Sequence, residues 1–326
     1  MTDFLIESGI AALTGLIAAL CVSVASALFY PSLRKMVSRS APAFQSIFLM
    51  VLAAVPIGAF PGMTAASLWW TFRGGVISDH CHVPASSTAC FPHAPVETHL
   101  LAPGVFVALG VALCALVALE FSGLAARSRQ RKRVLHACSR EDMRGRRILE
   151  TDRPVALTAG LWRPEIYISQ GLKRRLGTDE LRVVMHHENA HAARYDSLSF
   201  AMAAALSRAH FPSVRRQLLA DLHLSHERAC DEAAAHRIGD RLCVAATILR
   251  IERMNAAGGE TRHCQMGITG GSVPARVEAL MGAAKARSPV DLATSSLYAL
   301  AIPIALALAA EPLHSAVEFV FSNLPG

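Results

Sequence analysis

Residues 183–198 read VVMHHENAHAARYDSL, and within them His187, Glu188 and His191 have the types and spacing that bind zinc. On a helix, positions i and i+4 share a face, so both imidazoles can reach one ion, and Glu188 can reach a water beside it. His186 points about 100° away from His187 around such a helix and is read as non-ligating. The third ligand must come from elsewhere. The extended metzincin pattern needs a glycine at 194 and a histidine at 197, where this chain has Arg194 and Ser197. That class is excluded.

Further on, LHLSHERACDEAAAHR (222–237) has helical composition and sets Glu227 and Asp231 on one face. In this arrangement Glu227 completes the zinc site and Asp231 holds a ligand imidazole by its second ring nitrogen, fixing its tautomer. An ordinary charged helix face is the alternative. Three protein ligands leave a fourth position for water, whose pKa zinc lowers to about 7. Glu188 would take the proton and pass it to a leaving amine. For the oxyanion, sequence does not choose among Tyr195, His226, His236 and Arg276.

These residues need elements to hold them. Thr178 is a suitable N-cap, Asp179 and Glu180 suit a first turn, and Leu181, Val184 and Met185 form an apolar stripe. A helix over 179–194 is expected. Residues 146–170 instead carry short apolar runs (Ile148, Val155, Leu157, Ile166, Tyr167, Ile168) broken by Pro154, Gly160 and Pro164. These predict a small sheet. It is either purely structural or has an edge strand able to hold an extended substrate.

The setting is a membrane. Hydrophobic residues are 52% of the chain, charged residues 17%, and mean hydropathy is +0.35. Apolar blocks at 4–30, about 46–70, about 100–121 and about 291–310 each match the roughly 20 residues that cross a bilayer. Four spans are expected. The first has an MTD flank, an overlong apolar run and no clear cleavage site, so it reads as an anchor rather than a signal peptide. The stretch 198–211 is too brief and interrupted for a span and reads as a core or interfacial helix.

Basic residues follow the first span (Arg34, Lys35, Arg39) and cluster after the third, from Arg127 to Arg147, whereas 71–99 carries Arg73 alone. By the distribution of positive charge the N-terminus is outside and 122–290 cytoplasmic. The domains expected are 1–122 (three spans with an external loop at about 71–99), 123–290 (a cytoplasmic zinc protease domain) and 291–326 (a fourth span and short tail). The 32 basic against 25 acidic residues sit mostly beside the third span, which points to anionic lipid rather than nucleic acid. No nucleic-acid partner is expected.

GLWRPEIYIS (160–169), HHENAHAARYDSL (186–198) and ERACDEAA (227–234), set between three spans and one more, resemble the BlaR/MecR family of antirepressor membrane metallopeptidases. The resemblance covers nearly the whole chain. It implies a mainly α integral membrane protein with a cytoplasmic α+β gluzincin-type domain, in the bacterial cytoplasmic membrane. It also implies zinc on His187, His191 and Glu227, catalysis by Glu188, and a family match at Arg194 and Asp196. An extracellular signal would trigger cleavage of a cytoplasmic protein, such as a winged-helix repressor, or of the chain itself. A homodimer stays open. The sequence stops about 15 residues after the last apolar block, so the penicillin-binding sensor of well-known members is not expected. Alternatives are a quality-control protease of the HtpX type, whose motifs are separated by spans, a receptor with structural zinc, and a metal transporter. Few ionisable residues lie in the spans, which counts against transport.

The loop before the third span carries His80, Cys81, His82, Cys90, His93 and His99. Cys81 and Cys90 would pair as a disulfide outside the cytoplasm, or bind a soft metal ion with the histidines.

Overall fold

The computed structural model describes residues 2–73, 101–142, 146–257 and 272–282, with 309, 312, 313, 316 and 317. Three long helices, α1 (Thr2–Val37), α2 (Pro42–Arg73) and α3 (Leu101–Ala137), are apolar on all sides over stretches long enough to cross a membrane. The fourth expected span, apart from residue 309, the loop at 74–100 and its Cys81 and Cys90 lie outside the described residues.

Small residues let the three helices approach closely. A side chain at Gly15 on α1 would meet the Phe60 carbonyl oxygen at 2.5 Å, and one at Gly110 on α3 would overlap the Phe60 ring. Helices in lipid gain little from hydrophobic burial, so such close packing is what joins them.

α3 does not end with its apolar block. It continues through the basic stretch to Ala137 and leads directly into a four-stranded sheet of β1 (Ser139–Glu141), β2 (Arg147–Leu149), β3 (Ala156–Ala159) and β4 (Glu165–Ser169). The order is β1-β2-β4-β3, with β2 and β4 parallel and the other pairs antiparallel. β3 is thus an edge strand. Its tight turn into β4 uses Gly160 at φ 112°, where a side chain would meet the Arg163 carbonyl oxygen at 2.6 Å. Lys132 on α3 clamps that turn, donating to the Arg163 carbonyl at 2.6 Å and pairing with Glu165 at 2.8 Å.

Helices α4 (Gln170–Arg175), α5 (Thr178–Arg194), α6 (Asp196–Leu206), α7 (Pro212–Ile238), α8 (Arg241–Ala257) and α9 (Ser272–Met281) complete the described fold. α5 is the expected motif helix, but its N-cap is Gly177 rather than Thr178, because Glu180 reaches back to the Gly177 amide at 2.8 Å. α6 is the core helix expected at 198–211, burying Ala201, Ala203, Ala204 and Ala205.

The spans and the helical layer share a core. Tyr30, Phe48, Leu49 and Leu52 from α1 and α2 pack with Ala203 and Ala204 of α6 and with Val214, Leu218 and Leu222 of α7. Polar contacts pin the same junction: Ser23 donates to the Ala209 carbonyl at 2.6 Å, and His210 Nε2 lies 3.0 Å from the Leu52 carbonyl.

Candidate metal centre

α5 and α7 pack side by side, which brings the two sequence motifs together. His187 Nε2 and His191 Nε2 are 3.1 Å apart. Glu227 approaches with Oε2 at 3.6 Å from His187 and Oε1 at 3.4 Å from His191. Zinc bonds of about 2.0–2.1 Å at tetrahedral angles set neighbouring ligand atoms roughly 3.3–3.4 Å apart. The two imidazole nitrogens and the Glu227 carboxylate therefore surround a space of about the size a zinc ion needs.

Carboxylates turn both imidazoles inward. Asp231 Oδ1 lies 2.9 Å from His187 Nδ1, and Asp196 Oδ2 lies 2.8 Å from His191 Nδ1. With each Nδ1 donating to its carboxylate, the neutral imidazoles would turn an Nε2 lone pair toward the centre. Asp196 reaches its position because Tyr195, in the left-handed region at φ 52° and ψ 40°, ends α5 and reverses the chain into α6. Arg194 donates to Asp196 at 3.1 Å and to Ser46 of α2 at 3.0 Å, so this support is tied to a span.

His191, Asp196 and Cys230 also converge. The 2.8 Å from Nδ1 to the carboxylate is a hydrogen bond, shorter than the ligand spacing of a tetrahedral ion. Burial pushes the Cys230 thiol up to about 12, so it stays protonated and donates to Asp196 at 3.4 Å. This cluster supports the first centre.

Buried charge is balanced locally. Burial alone would raise the Glu227 and Asp231 carboxyls, but Arg276 and the histidines hold Glu227 well below its ordinary range and Asp231 below it. Burial works against the Asp196 carboxylate too, and the hydrogen bond from His191 with the nearby Arg194 outweighs it. Burial likewise opposes the His187 and His191 imidazolium forms, yet their carboxylate partners leave both raised.

Glu188 is 8% exposed and its Oε2 lies 2.8 Å from Thr158 Oγ1 on β3, a hydroxyl also 3.0 Å from the Glu188 carbonyl. Thr158 was not among the residues singled out by sequence. The candidate oxyanion donors fare unequally. Arg276 is committed to Asp231 and Glu227. His226 is buried beside Asp196 and Ser199, and burial pushes it down to about 4. His236 is exposed near the end of α7, and Tyr195 is 47% exposed. His223 escaped notice in the sequence. It lies one turn before Glu227, where burial lowers its pKa, and its buried Nε2 has no hydrogen-bond partner among the described residues.

The fold thus joins three helices long and apolar enough to cross a membrane to a small sheet and a paired-histidine centre. The model of the family described as BlaR1 peptidase M56 matches residues 76–278, more than half of the chain, and the chain belongs to that family. Neither the curated proteins nor the solved structures return a match.

Proposed function

We propose that this protein is a zinc endopeptidase of the signal-transducing antirepressor type, with His187, His191 and Glu227 as zinc ligands and Glu188 as the catalytic carboxylate. The observation carrying this reading is the convergence of the His187, His191 and Glu227 side chains on one point, each imidazole backed by its own carboxylate. When bound, zinc supplies a Lewis acid that acidifies water and polarises the scissile carbonyl.

The chain's own groups would do the rest. Glu188 accepts the water's proton on its carboxylate and delivers it to the departing amine, while Thr158 fixes the orientation of Oε2. The substrate backbone lies along β3, whose outer edge is unpaired among the described residues. His223, with its unused Nε2, is our assignment for the group that donates to the oxyanion.

The substrate is a cytoplasmic protein, such as a repressor, or the chain itself. The placement of basic residues supports a cytoplasmic catalytic layer, and a reporter fused near residue 140 that proved external would sink this orientation. The input is the loop preceding α3, since α3 runs unbroken into the sheet that holds Thr158.

Purified Glu188→Ala and Glu227→Ala proteins test the ligand and base roles. Metal content by emission spectroscopy should be retained in the first and lost in the second. Membranes bearing either variant should fail to deplete the cytoplasmic protein that wild type removes. Full proteolysis by Glu188→Ala would end the reading.

A further inference from the structure

Where α1 turns into α2, the two helices and the flank of α7 enclose a cavity of about 370 Å³ that contains none of the metal-centre residues. Its walls are of two kinds. Pro31, Phe48, Leu49 and Leu224 supply apolar lining, and Arg34, Lys35 and Arg228 supply cationic lining. Arg34 and Lys35 occupy the last turn of α1, a few residues beyond its apolar block, while Phe48 and Leu49 begin the apolar block of α2. The cavity therefore sits at the boundary between acyl chains and headgroups.

The charge in it is not cancelled. Its one carboxylate, Asp221, is consumed by Arg34, with contacts of 2.6 and 2.8 Å, and by the Tyr30 hydroxyl at 2.9 Å. Lys35 makes no ion pair among the described residues. Arg228 donates Nη2 to the neutral carbonyl of Ala275 at 3.1 Å, and its buried Nε has no hydrogen-bond partner among the described residues. Glu278, Asp221 and Asp231 act on Arg228 only through space. Lys35 and Arg228 thus line the cavity without a hydrogen-bonded carboxylate among the described residues.

We infer that this cavity binds the phosphate headgroup of an anionic glycerophospholipid, with Lys35 and Arg228 on the phosphate and the less buried Pro31 and Leu224 toward the upper acyl chain. The volume is at the small end of the range of about 300–1,000 Å³ for ligand sites, suited to a headgroup whose tails remain in the bilayer. Arg228 follows Glu227 in the chain and bonds the residue before Arg276, so the lipid would sit directly behind the metal centre.

The full chain, purified in neutral detergent, should be titrated with phosphatidylglycerol and with phosphatidylcholine and read by native mass spectrometry. Phosphatidylglycerol should bind preferentially. Lys35→Gln and Arg228→Gln should each weaken it about fivefold and the pair roughly thirtyfold, from the usual contribution of a basic side chain near an anionic surface. Lys173→Gln, on an exposed turn of α4, should have no effect. Retained metal content reports an intact fold, and should Arg228→Gln fail it, the exposed Lys35→Gln decides alone. Equal binding of the two lipids, unchanged binding by Lys35→Gln, or displacement of the lipid by inorganic phosphate at comparable concentration would each overturn the assignment.

Discussion

Arg276 and Asp231 form a two-pronged ion pair, Nε to Oδ2 at 2.7 Å and Nη2 to Oδ1 at 2.7 Å. The remaining nitrogen of the guanidinium, Nη1, lies 2.7 Å from Glu227 Oε2. One arginine from α9 thus spans a proposed zinc ligand and the carboxylate that orients another. Three carboxylates surround this buried centre, and without Arg276 two of them would face each other unscreened.

Loss of Arg276 should therefore appear as lost metal affinity. Arg276→Gln is expected to weaken zinc binding roughly 10–100-fold, as outer-shell changes commonly do. Arg276→Lys should fall between, because a lysine keeps the charge but cannot reproduce the fork. Competition against a graded chelator series measures both. Wild-type affinity in Arg276→Gln would mean that the three-way contact does not position Glu227.

Thr158 should act on the reaction and not on the metal. Its hydroxyl is the contact from the edge strand that fixes the Glu188 carboxylate. Thr158→Val should lower kcat roughly 10–100-fold through misorientation of that group while metal content stays constant. Thr158→Ser should restore most of the rate. A Val variant as active as wild type would show that Glu188 is held in place by packing alone.

His223 carries a separate expectation. Removing a donor to an oxyanion usually costs about 10²–10³ in kcat, so His223→Ala should show that loss with KM and metal content nearly unchanged. Should zinc be lost instead, His223 supports α7 and takes no part in the reaction.

The parts of this site that sequence made legible are those set by helical period. His187, Glu188 and His191 fall within two turns of α5, and Glu227 with Asp231 within two turns of α7, so spacing alone groups them. Asp196 depends on the left-handed turn at Tyr195, which no local pattern announced, and only family resemblance drew attention to it. Thr158, His223 and the commitment of Arg276 depend on how separate elements pack. The core shared by the spans and the helical layer was hidden for another reason. Leu49 and Leu52 look the same in sequence whether they face lipid or Leu218 and Leu222 of α7. Hydropathy records that a residue avoids water and is silent on what replaces it.

Glu180 supplies a pH-dependent prop for the motif helix. Its carboxylate accepts the Gly177 amide and pairs with Arg250 of α8 at 2.6 Å. Burial pushes this carboxyl up, but the amide and Arg250 outweigh it and hold it below the ordinary value. A depressed folded pKa stabilises the fold above the unfolded value, near 4.3, and that contribution disappears as pH falls through the lower folded value. Because Arg250 is half exposed, solvent screening limits the effect to about 1 kcal/mol. Glu180→Gln imitates the protonated form. Denaturant unfolding in detergent should find it about 1 kcal/mol less stable than wild type at pH 7, with the two curves converging as pH falls below the ordinary carboxyl range. A gap that stayed constant across that range would assign the stabilisation to the shape of the cap and not to its charge.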